Sequence, residues 1–116
     1  MRVALTSEFE KIMVNQYPFL ADIEQAIYEV MGVTLEQMRS KRNCRNVSFA
    51  RIIFAHLSND LVSPCYYLAS YMDHDHGTLI YWVNSFDGKF RFDKAFKSVA
   101  ERVIDKFNKN KQYGVL

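Results

Sequence analysis

Glycine and proline are scarce in this chain, four and two residues respectively in 116. Runs of β-branched residues are short and do not alternate with polar ones, which argues against a sheet-built fold. Only two cysteines are present, Cys44 and Cys65, and they form no CxxC pair. Reduced thiols are therefore expected, not a disulfide framework or a zinc site. No apolar run approaches the roughly 20 residues of a membrane helix. The first residues lack the charged start, apolar stretch and small-residue cleavage site of a secretory signal. Internal repeats and low-complexity segments are also missing. These absences lead to the expectation of one cytoplasmic domain that does not engage a membrane.

The residues that are present suit a packed core. The chain is 49% hydrophobic and 15% aromatic, with a net charge of +2, a balance too apolar for disorder. The charge is unevenly spread. Residues 7–36 carry six acids against Lys11 alone, whereas residues 39–51 carry Arg39, Lys41, Arg42, Arg45 and Arg51 with no acid. Residues 89–111 hold eight basic side chains against Asp93, Glu101 and Asp105. Such asymmetry points to one anion-binding face and one solvated acidic face.

Helical spacing orders the rest. Thr6 or Ser7 is positioned to cap a helix reaching about Asn15, and Tyr17-Pro18 ends it. Ile23, Ile27, Val30 and Met31 share one helix face, closed by Gly32. Thr34 with Gln37 forms a capping box for a short helix. Residues 40–46 read as a basic loop. Ala50, Ile53, Phe54, Leu57 and Leu61 mark a long central helix over 48–61. Ser63 and Pro64 fit the start of a short helix to about Tyr71. Met72 to His74 read as a turn, and Asp75 as the cap of a helix bearing Leu79, Ile80, Trp82, Val83 and Phe86. Asp87-Gly88 predicts a break. Phe92, Phe96, Val99, Val103 and Phe107 outline a last helix, followed by a polar tail over 108–116.

The segment Asp73-His74-Asp75-His76-Gly77-Thr78-Leu79 stands between two apolar helical patterns, about 30 residues after the basic cluster. A short polar break with small polar residues opening the second helix is how a helix-turn-helix presents a helix start to the DNA major groove. Lys41, Arg42, Arg45 and Arg51 would neutralise phosphates. His74 and His76 with Asp73 and Asp75 do not have zinc-ligand spacing, so no metal site is expected. No local signature joins a cysteine to a histidine as a nucleophile, and the chain is not read as an enzyme.

Ser40-Lys41-Arg42, Ala50-Arg51-Ile52, Leu68-Ala69 and His74-Asp75-His76-Gly77-Thr78-Leu79 follow one another in an order and spacing that resembles the C-terminal DNA-binding domain of the bacterial replication initiator DnaA. The resemblance covers residues 20–107, with 1–18 as an N-terminal extension. It differs at His74, where the family has Arg, at Gly77, where it has Thr, and at Asn43, where it often has Arg. The resemblance implies an all-α fold of about six helices, Trp-repressor-like, with a helix-turn-helix over 63–86. It also implies sequence-specific binding of double-stranded DNA, as in replication-origin recognition, from a bacterial or phage-encoded protein. Base contact would come from Asp75, His76 and Thr78, and backbone contact from His74 and the basic loop. Gly77 would narrow the readout. No Gly-rich phosphate loop is present, so the ATPase module is missing and no cofactor is expected. The alternative is a protein-interaction module that kept the fold, using an exposed aromatic such as Tyr66 or Tyr67.

Overall fold

The computed structural model describes residues 4–110 and contains seven α-helices and one 3-10 turn, with no strand among the described residues. The helices are α1 (Ser7–Gln16), α2 (Phe19–Met31), α3 (Leu35–Arg39), α4 (Arg45–Ser58), α5 (Cys65–Tyr71), α6 (His76–Phe92) and α7 (Lys94–Asn110). The 3-10 turn, Asn59–Leu61, follows α4. The fold is thus all-helical, as the spacing predicts.

Local capping chemistry sets many of the boundaries. The Phe9 N–H donates to Thr6 Oγ1 at 3.1 Å, which opens α1. Gly32, at φ 71°, closes α2 with its N–H on the Tyr28 carbonyl. That left-handed backbone suits a residue without Cβ. Thr34 and Gln37 bond reciprocally at the start of α3. Asp75 Oδ1 accepts the Thr78 N–H at 2.8 Å and starts α6.

Helix α4 occupies the centre. Val47, Phe49, Ala50, Ile52, Ile53, Phe54 and Ala55 are all buried, so the helix is enclosed on nearly every side. It packs against α6, α2, α3 and α7. Helix α7 lies mainly on α2, through Phe96, Ala100, Val103 and Phe107. Helix α1, expected as an extension, packs onto the core by the buried Met13 and by Phe9 edge-on to Tyr67. The salt bridge from Arg39 Nη1 to Glu10 at 2.7 Å ties α3 to α1.

Three boundaries differ from the sequence reading. Helix α4 begins at Arg45 and ends at Ser58, not over 48–61. Pro64 stands at the N-cap of α5, one place before N1, and the Ser63–Pro64 peptide is cis. The expected break at Asp87-Gly88 does not occur, and α6 runs on to Phe92. Gly88 costs about 1 kcal/mol in a helix interior. Phe86 and Phe90, on either side of it, stack at 5.4 Å, and Phe86 also meets Phe96 edge-on at 5.5 Å. Burying the Phe86 ring, worth roughly 1.5–3 kcal/mol, together with part of the Phe90 ring, outweighs the glycine. The break falls instead at Asp93, whose Oδ1 accepts the Phe96 N–H at 3.1 Å. Of the expected tail, residues 108–110 belong to α7, and residues 111–116 lie outside the described residues.

Candidate nucleic-acid interface

The turn between α5 and α6 is closed by backbone bonds. The Asp73 N–H donates to the Ser70 carbonyl and the His74 N–H to the Ala69 carbonyl, both at 3.0 Å. This is a Schellman closure with Asp73 in the left-handed region at φ 58°. Glycine is usual there, and aspartate is among the few other residues that tolerate it. The closure fixes where α6 leaves α5.

The basic loop is pinned at its base. Arg51 is buried, and it donates from Nε to the Met38 carbonyl at 3.0 Å and from Nη2 to the Ser40 carbonyl at 2.6 Å. Its guanidinium also lies over the Trp82 ring at 5.9 Å, within cation–π reach. Arg51, expected at a phosphate, is placed inward, where it holds the base of the loop. The reason is long-range: α4 carries Arg51 beneath the Met38 and Ser40 carbonyls at the end of α3.

His74 is also turned inward. It is half-buried, with Nε2 at 3.0 Å from the Met38 carbonyl and its ring edge-on to Trp82 at 4.9 Å. A carbonyl only accepts, so Nε2 carries a proton. Burial pushes the His74 pKa below its ordinary value, and the nearby Arg51 guanidinium adds to that. His74, expected at a DNA backbone, thus has its imidazole engaged within the fold.

Lys41, Arg42, Asn43, Cys44 and Arg45 are exposed. The Arg42 N–H bonds to Ser40 Oγ at 3.1 Å, which shapes the loop and leaves the Arg42 guanidinium outward. Helix α4 opens with Arg45 and has no acid in its first turn. Its positive dipole end is thus reinforced by cations where acids would stabilise it, an arrangement that receives anions. The Val47 N–H and then Arg42 hold the Cys44 thiol below its ordinary pKa. Arg45 and Lys89 both lie over the Phe49 ring, at 5.1 and 5.6 Å. One end of the loop therefore meets the C-terminal half of α6, while Arg51 and His74 join the other end to Trp82. The loop runs alongside α6.

At the start of α6, Asp75 and His76 are exposed and Thr78 is half-exposed. Asp75 is engaged as the cap, and His76 Nε2 lies 2.9 Å from Cys65 Sγ. Gly77 leaves room, since an added Cβ would come no nearer than 3.6 Å to Asp75 Oδ1. The outward strip of α6 continues through Tyr81, Asn84 and Arg91, all exposed. Tyr81 is one of several aromatics around the motif that helical spacing assigns mostly to the core, yet it and Asn84 fall between the apolar positions Leu79, Trp82 and Phe86 and face outward. Tyr66 and Tyr67 pack on each other at 5.0 Å and are half-exposed, so neither stands free of its neighbours. Phe92, 85% exposed, and Tyr81, 66% exposed, are the more open aromatics.

Family models, curated proteins and solved structures give no match to this chain. No helix among the described residues is long and apolar enough to cross a membrane. No group of three or more histidine, cysteine, aspartate or glutamate side chains among them is placed to hold a metal ion.

Proposed function

We propose that the protein binds double-stranded DNA, with α6 as the groove-facing helix of a helix-turn-helix and the 40–45 loop on the phosphates. The observation that carries this reading is the start of α4. A helix N-terminus with no acid in its first turn meets exposed Lys41, Arg42 and Arg45. Cations there oppose the helix dipole, so the arrangement is explained by an anionic ligand better than by stability. Lys89 and Arg91 add charge farther along α6. His76, Thr78, Tyr81 and Asn84 are the side chains for base edges, and asparagine can bond adenine in a bidentate manner. This assignment replaces Arg51 and His74 with residues that face outward, and it keeps the likeness to the DnaA C-terminal domain as a proposal about lineage.

The reading is tested by selection from a random duplex library, followed by paired affinities on the selected and scrambled duplexes at one salt. Asn84→Ala is expected to lower the ratio of those affinities about tenfold, since a good base contact is worth roughly 1–3 kcal/mol. Failure to enrich any sequence would remove specific readout. A second reading, a protein-interaction module, is favoured by the exposure of Tyr81 and Phe92 on α6. Under it, Tyr81→Ala would abolish partner binding with no duplex bound.

A further inference from the structure

Cys65 is the first residue of α5 and His76 the first of α6, on opposite sides of the turn. Their side chains meet, with Sγ and Nε2 2.9 Å apart. Cys65 is half-exposed and His76 exposed, so small reagents reach the sulphur from solvent. The pair is not needed for either helix start, because Asp75 caps α6 and Pro64 leads into α5. A thiol in contact with an imidazole is the arrangement that activates a sulphur nucleophile, because the imidazole takes the proton and the thiolate is the reactive form.

We propose that Cys65 is an oxidation site for small hydroperoxides, with His76 as its proton partner, and that oxidation frees the first side chain of α6. The Cys65 thiolate attacks one peroxide oxygen. The S–O bond forms as the O–O bond breaks, and the leaving hydroxide takes the proton from the His76 imidazolium to become water. Sulphur loses two electrons and the peroxide gains them, giving a sulfenic acid. Oxidation replaces the thiol that Nε2 meets by a bulkier S–O group, and the contact that holds the His76 ring at 2.9 Å is lost. Resting on the DNA-binding reading, this makes the thiol a redox control on the base-facing end of α6.

The experiment uses the Cys44→Ser protein, in which Cys65 is the remaining thiol. Hydrogen peroxide is added without DNA, the sulfenic acid is trapped with dimedone, and the rate is read by intact mass. An imidazole in contact with the thiol takes its proton as the sulphur attacks, and such general-base help is worth about 10²-fold or more when well aligned and less at a solvent-open pair. Cys65 should therefore react about tenfold faster than in the Cys44→Ser/His76→Gln protein, and about tenfold faster than in urea-unfolded chain. Equal rates in all three would overturn the oxidation site. Duplex affinity of the oxidised and reduced forms is then compared. A lower affinity or altered site preference after oxidation supports the control, and identical binding overturns it. Rapid oxidation with no duplex bound in either form refutes the DNA reading and leaves the oxidation site standing.

Discussion

Replacing Arg51 separates a cation that holds the fold from cations that meet a ligand. Arg51→Met removes the bonds to the Met38 and Ser40 carbonyls, at 3.0 and 2.6 Å. A hydrogen bond from a charged donor contributes roughly 1.5–3 kcal/mol net. Replacing a buried charge by an apolar side chain recovers part of the desolvation cost. The expected loss is therefore about 3 kcal/mol, a large share of the roughly 5–15 kcal/mol of a typical domain. Arg51→Lys should recover less than half, because one ammonium does not reproduce the guanidinium fork across two carbonyls. Arg42→Ala is the control, and at an exposed position it should stay within about 0.5 kcal/mol. Urea denaturation at pH 7 reads all three. If Arg51→Met loses no more than Arg42→Ala, the loop is not held by this residue, and its place in the fold has been misassigned.

Gly88 has nothing within 4 Å of an added Cβ and lies inside α6, so Gly88→Ala should stabilise by about 0.5–1 kcal/mol, seen as a higher urea midpoint. Acid should weaken the fold through His74, held below the ordinary value of 6.5 by burial, and through His56, held below it by desolvation under the Phe86 ring that covers one face of its imidazole. The unfolded chain then takes up protons that the folded one refuses. Stability is present above pH 6.5 and falls as the pH drops below it. Thermal midpoints at pH 7.0 and 5.5 check this, and the His74→Gln/His56→Gln protein should show the smaller drop. Glu24 opposes the trend at lower pH, because burial raises its pKa and its protonation favours the folded chain.

The legible parts of the fold were those set by short-range chemistry. Thr6, the Thr34–Gln37 pair, Gly32 and Asp75 announce helix ends because their partners lie within four residues. The apolar spacing of α2 and α7 likewise marks which face is buried. The left-handed Asp73 was hidden because aspartate is a rarer choice there than glycine. Asp87-Gly88 reads as a break because part of the aromatic packing that overrides it, Phe96 against Phe86, comes from α7, outside any local window. The inward placement of Arg51 and His74 is hidden for the same reason. A basic residue near a basic loop reads as a ligand contact, and only the folded chain brings the Met38 and Ser40 carbonyls against it. Tyr81 and Asn84 are legible as the complement of the apolar strip formed by Leu79, Trp82 and Phe86.

The most direct measurement is a salt titration of binding to a random-sequence duplex. Lys41, Arg42, Arg45 and Lys89 are the proposed phosphate contacts, and each contributes about −0.9 to the slope of log K against log salt. A slope between roughly −3 and −4 is expected, reduced by about 2 in the Arg42→Ala/Arg45→Ala protein. Absence of binding at low salt, or an affinity that does not change with salt, would contradict the assignment of this face to DNA.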